Sequence, residues 1–268
     1  MTRPAGQAQE WVRGIQSRGF EVFSLPLIDI AAMPHTEPVQ ALWERIAQEG
    51  DFAAVMCVSS NAVNHFFESN RAVSLLNNAQ SATQFVASLS SDLLRWWATG
   101  PTTVQALRAQ GVPAHAIDAP AMGAAQWDSE HLWQRVCGQL APGKKVLIVR
   151  GLDVGTPDAS RDWLAERIRN TGARLEIVQV YQRRAPVWSL EQTRMATQAV
   201  QDLSVWVFSS SQAVRHLQML LSGLDFSKAR CVVTHERIAQ AARAAGFAVV
   251  YTSRPALQDV LASIESMA

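Results

Sequence analysis

The 268-residue sequence predicts an α/β fold with parallel sheets, and two observations carry that expectation. Short runs rich in β-branched and apolar residues alternate along the chain with helical patterns of roughly 10–15 residues. The two halves of the chain also repeat one another turn by turn. Their spacing of roughly 150 residues is too long for a solenoid and points to two similar α/β domains.

Strands are expected at 21–25 (EVFSL), 52–58 (FAAVMCV), 94–99, 146–150 (VLIVR), 175–181 (LEIVQVY), 204–208 (SVWVF), 230–234 (RCVVT) and 248–252 (AVVYT). Helical periodicity occupies 5–18, 39–49, 61–69, 102–110, 128–140, 158–171, 190–200, 211–222, 235–245 and 255–266. Several of these helices end at a glycine, as at Gly19, Gly111, Gly172 and Gly246, where a helix terminates readily. The weakly patterned stretch from Asn70 to Ser91 is read as a loose helix followed by a loop. In the repeat, Cys57-Val-Ser-Ser-Asn-Ala-Val63 matches Phe208-Ser-Ser-Ser-Gln-Ala-Val214, each closing a strand and opening a helix. The turn Thr99-Gly-Pro-Thr-Thr103 pairs with Thr234-His-Glu-Arg-Ile238, and the segment at Arg3-Pro4 pairs with Arg150-Gly151.

Composition excludes several function classes. With 24 basic and 23 acidic side chains the net charge is +1, so no global field attracts nucleic acid or an anionic membrane. All the basic residues except Lys144, Lys145 and Lys228 are arginine, suited to local anion contacts. No run approaches the ~18–20 apolar residues of a membrane span, and Met1-Thr2-Arg3-Pro4 lacks the apolar core of a signal peptide, so a cytoplasmic protein is expected. Cys57, Cys137 and Cys231 form no CxxC pair and are expected to be buried, reduced thiols.

Motifs of cofactor chemistry are missing. There is no GxGxxG, and Gly138-x4-Gly143-Lys144 has Lys145 where a phosphate loop needs Ser or Thr and precedes its strand instead of following it. The six histidines form no HExxH and no i, i+4 pair, and no serine lies in GxSxG. These patterns point to no metal site and support no dinucleotide-binding fold. What remains is a set of strand-to-helix turns carrying small hydroxyls: Ser59-Ser60-Asn61, Thr102-Thr103, Ser209-Ser210-Ser211 and Thr234. At the carboxyl ends of parallel strands such turns suit carboxylates or phosphates. The same residue types also cap helices, and both readings stand. Arg3 and Arg150 are either carboxylate clamps or solvated surface charges. Tyr181, one of two tyrosines, either ends its strand with its hydroxyl in water or donates a proton at a domain junction. The nine tryptophans read as packing.

Order and spacing of these motifs resemble the uroporphyrinogen-III synthase family over nearly the whole chain. The residues are Thr2-Arg3-Pro4, Gly19, Leu25-Pro26-Leu27, Val58-Ser-Ser-Asn-Ala-Val63, Gly100-Pro-Thr-Thr103, Val146-Leu-Ile-Val-Arg-Gly151, Gly172-Ala173, Val180-Tyr181 and Phe208-Ser-Ser210. The resemblance implies two flavodoxin-like parallel-sheet domains joined by a two-stranded linker, one inserted in the other. The outer domain would combine 1–33 with 183–268, the inserted domain would span 37–178, and the linkers would lie near 27–36 and 178–183. It also implies a cleft between the domains, no cofactor, a monomer, and cyclisation of hydroxymethylbilane with loss of water and inversion of ring D. Tyr181 would assist departure of the hydroxyl, and Ser59 and Thr103 would bind acetate or propionate arms. Arg3, Ser60, Asn61, Thr102, Arg150, Gly151 and Ser210 are weaker carry-overs at the same turns. The family's apolar strand before Thr2-Arg3-Pro4 is nearly missing here, which suggests a misplaced start or a trimmed edge. Val58 stands where Thr is frequent, and Thr234-His-Glu-Arg replaces a Gly-Pro-Thr-like turn. The alternatives are a non-enzymatic two-domain small-anion-binding protein and an inactive relative of the synthase.

Overall fold

The computed structural model describes residues 1–35, 37–47, 52–76, 94–121, 127–154, 163–202 and 204–267. Nine strands are found among them: β1 (Asp29–Ala32), β2 (Ala54–Cys57), β3 (Arg95–Ala98), β4 (Ile117–Asp118), β5 (Lys145–Asp153), β6 (Arg174–Arg184), β7 (Val205–Phe208), β8 (Arg230–Val233) and β9 (Val249–Thr252). The helices are α1 (Ala5–Gln16), α2 (Glu37–Ala47), α3 (Ser60–Leu76), α4 (Pro101–Ala109), α5 (Ser129–Val136), α6 (Trp163–Asn170), α7 (Leu190–Gln201), α8 (Ser211–Leu220), α9 (Glu236–Ala244) and α10 (Leu257–Glu265). Two compact units emerge, Met1–Ile30 with Arg184–Ala268, and Ala31–Arg183.

The continuous unit carries the sheet β1-β6-β5-β2-β3-β4, and the ladders joining β6, β5, β2, β3 and β4 are all parallel. Counted from β5, these five strands stand in the order 2-1-3-4-5, the doubly wound flavodoxin arrangement. The polypeptide is permuted: it enters at the third position with β2 and supplies the first two positions last. Strand order reverses between β5 and β2, which pair directly from Ala54↔Val146 to Cys57↔Val149. Ligands of open α/β sheets bind outside the carboxyl ends of the strands at such a reversal.

The discontinuous unit repeats the plan in shortened form, with the parallel sheet β7-β8-β9. Beside β7, Thr2 donates its hydroxyl to the carbonyl of Val207 at 2.7 Å. On the other side, the Met1 ammonium donates to the Phe23 carbonyl at 2.8 Å, and the Leu25 and Leu27 amides donate to the carbonyls of Met1 and Thr2. Met1–Thr2 thus stands in the first position and 23–27 in the second. The strand expected at 21–25 is not formed as a ladder; the bonds to Met1 and Thr2 are made from Phe23, Leu25 and Leu27. A cavity of about 600 Å³ lies alongside, lined by Val22, Phe23, Leu25, Val205, Trp206 and Val207 among others.

Alternation along the strands builds a core on each sheet face. In the discontinuous unit Trp206, Phe208, Cys231 and Val233 pack with residues of α7, α8 and α9, while Val207 and Val232 pack with α1 and α10. In the other unit Ala54, Met56, Trp97, Val146 and Ile148 pack with α5 and α6. The opposite face holds an aromatic group in which Trp43 stacks on Phe66 at 4.5 Å, with Phe67 and Trp96 beside it. Both buried tryptophans of β3 are therefore packing residues. Burial pushes the Cys57 thiol upward and that of Cys231 up to about 12, which keeps both protonated and inert. Cys137 departs from expectation, being exposed in the 3-10 turn that follows α5.

Boundaries differ where tertiary pairing extends an element. β6 runs on to Arg184 because β5, to which it pairs, continues to Asp153, so Tyr181 lies within a strand and not at its end. The two-residue β4 is too short for periodicity to reveal. The helical part of the Asn70–Ser91 stretch is the end of α3, and 77–91 lies outside the described residues, as does 158–162 of the expected helix before Gly172.

Candidate active site

At the carboxyl end of β2 the chain turns through Val58 and Ser59 into α3. Ser59 caps that helix, its Oγ accepting the Ala62 amide at 3.1 Å while its carbonyl accepts the Val63 amide. The same Oγ lies 3.2 Å from the hydroxyl of Tyr181. Tyr181 comes from β6, two strands away, and only 3 % of its surface is exposed. Its ring stacks on His65 of α3, with centroids 5.5 Å apart and planes inclined by 23°. It also lies against Gly151, where a β-carbon would fall 2.5 Å from Cε2. Gly151 and Tyr181 face each other because the β5–β6 register shifts between Arg150 and Gly151. A phenol, a hydroxyl and a helix N-terminus thus meet at the strand-order reversal. That combination can lend a proton and stabilise the negative charge left behind.

Of the residues singled out in the sequence, the structure brings Ser59 and Gly151 each against Tyr181. Ser60 and Asn61 open α3 immediately after Ser59, and Arg150 adjoins Gly151 on β5. Thr102 and Thr103 open α4 beyond β3, the next strand of the sheet. Gly100 occupies the N-cap there with no side-chain bond, Pro101 has no N–H, Thr102 is exposed and Thr103 is buried. The capping reading therefore describes Ser59 but not the threonines. Arg3 and Ser210 belong to the discontinuous unit. Ser210 caps α8 through the Gln212 amide at 3.2 Å, and His235 performs the same service for α9 with its ring Nδ1 at 3.1 Å from the Arg237 amide. The Arg3 guanidinium lies over Trp11 at 4.0 Å, and partial burial lowers its proton affinity.

His65 belongs to no metal-ligand pattern in the sequence, and no sequence signal connects it to Tyr181. Among the described residues no group of His, Cys, Asp and Glu is arranged to hold a metal ion, and no helix is long and apolar enough to cross a membrane.

A family profile described as Uroporphyrinogen-III synthase HemD matches residues 9–262. The chain belongs to the uroporphyrinogen-III synthase family. Membership makes it an enzyme of porphyrin biosynthesis that converts hydroxymethylbilane to uroporphyrinogen III, and its substrate is a tetrapyrrole. Two solved structures carry the same fold. The uroporphyrinogen-III synthetase of Helicobacter pylori is 16% identical, covering 91% of this chain and 92% of its own with a TM-score of 0.57. A mutant uroporphyrinogen III synthase of the extremely thermophilic bacterium Thermus thermophilus is 15% identical, covering 100% of this chain and 98% of its own, with a TM-score of 0.55. No individual curated protein gave a significant match.

Proposed function

We propose that Tyr181 is the proton donor of the synthase reaction. The phenol gives its proton to the terminal hydroxyl of hydroxymethylbilane, the C–O bond breaks with its electron pair on oxygen, and water departs. The azafulvene cation that remains is steered away from direct closure on the far end, so that ring D is inverted as the macrocycle forms, and the proton lost on closure returns to the Tyr181 phenolate. Much of the remaining task is orientation, because the activated substrate cyclises readily once its ends meet.

The observation that carries this reading is the 3.2 Å contact between Tyr181 and Ser59. Once the phenol has lost its proton, Ser59 can donate to the phenolate while its oxygen still accepts the Ala62 amide. The positive end of α3 favours the same charge. Carboxylate arms of the substrate would be held by the openings of α3, at Ser60 and Asn61, and of α4, at Thr102 and Thr103. Arg150 would supply a further donor. No side chain caps α4 at Gly100, and the positive end of that helix suits an anion.

Tyr181→Phe tests the assignment. It is expected to slow formation of isomer III by ~10²-fold, within the general-acid range, while circular dichroism stays that of the parent. An unchanged rate would remove Tyr181 from the mechanism.

A further inference from the structure

Gly151 sits in an extended strand, and its backbone does not demand glycine: it is not among the positive-φ glycines of the chain. What demands it is the neighbouring ring. A β-carbon at this position would stand 2.5 Å from Cε2 and 2.9 Å from Cε1 of Tyr181, and nearer still to Cζ, where carbon atoms settle at about 3.5–4.0 Å. The encounter is made by the slip in register. Arg150 faces Gln179, Gly151 faces Tyr181, and Val180 is the extra residue between them. A bulge of this kind re-aims a side chain, and here it lets the consecutive residues Val180 and Tyr181 both be buried. His65 then stacks on the ring from α3.

We propose that Gly151 and His65 are positioning residues, which together seat the Tyr181 ring so that its hydroxyl meets Ser59; Gly151 serves as that seat and not as a contact to substrate. The catalytic half of this inference rests on Tyr181 being the proton donor. A phenol with free torsions would spend much of its time turned away from the leaving oxygen, whereas a seated one transfers its proton without first being ordered.

The chain has only two tyrosines, Tyr181 and Tyr251, so labelling with 3-fluorotyrosine yields two fluorine resonances, and Tyr251→Phe assigns them. Gly151→Ala and His65→Ala are each expected to move the Tyr181 resonance while that of Tyr251 stays in place. Each is expected to lower kcat for isomer III by about tenfold or more, toward the level of Tyr181→Phe, with KM little changed. In a Tyr181→Phe background neither should lower the rate further. His65→Phe, which keeps a stacked ring without the imidazole, should restore the resonance and most of the rate.

A Tyr181 resonance that stays in place in both alanine variants would overturn the proposal, as would a loss of rate that recurs undiminished in the Phe background. If Gly151→Ala does not fold, the His65 pair decides on its own, since residue 65 is partly exposed on the helix. Should Tyr181→Phe prove fully active, the proton-donor reading and the catalytic half of the inference fall together, and the fluorine shifts still decide whether the two residues seat the ring.

Discussion

Ser59 holds two partners with one oxygen, and they separate into a structural and a chemical role. As the cap of α3 it accepts the Ala62 amide; toward Tyr181 it presents a hydroxyl at 3.2 Å. Ser59→Ala removes both, so it is expected to cost about 1 kcal/mol of stability, a typical value for a lost cap, and also to reduce the rate. Ser59→Thr keeps the oxygen and should retain both properties. Thermal melts and turnover measured on the same two variants check this; a normal rate in Ser59→Ala would detach the serine from Tyr181. Thiol chemistry separates the cysteines in the same residue-by-residue way. Cys57 and Cys231 are buried with their proton affinity raised, and Cys137 is exposed. One equivalent of a thiol reagent is expected to react with the native protein near neutral pH, and mass spectrometry should place it on Cys137. Rapid reaction of all three would contradict the packing described for β2 and β8.

Elements show where a sequence is legible and where it is not. Residues that cap helices or close them on glycine act locally, so helices such as α1, α4 and α9 are predicted within a few residues. The capping box of α7 is of that kind: Ser189 accepts the Gln192 amide at 3.2 Å while the Gln192 side chain accepts the Ser189 amide at 2.9 Å. Ser189→Ala is expected to lower stability by about 1 kcal/mol without touching the rate constants, which chemical denaturation and a kinetic assay would read together. The bulge of β5 and β6 is of the other kind. Nothing in Val180-Tyr181 or Arg150-Gly151 announces a register slip, because the slip exists only when the two strands pair. Tyr181 and Ser59 were legible through the family resemblance, and Gly151 only as an undifferentiated carry-over. Its relation to Tyr181, and that of His65, are properties of tertiary contact.

Across the molecule the repeat seen in the sequence becomes one sheet plan used twice. One unit takes its first two positions from β5 and β6; in the other, Met1–Thr2 and 23–27 take those places beside β7. Duplicated turns, Ser59 after β2 and Ser210 after β7, accordingly stand at equivalent strand ends and cap equivalent helices. Family membership gives this architecture its reaction, and the isomer of the product reads that reaction most directly, because hydroxymethylbilane left alone closes without inverting its last ring. The purified protein should be given freshly generated hydroxymethylbilane and the oxidised products resolved by chromatography. The type III isomer is expected to predominate with the enzyme and type I without it; type I alone in both samples would contradict the assignment.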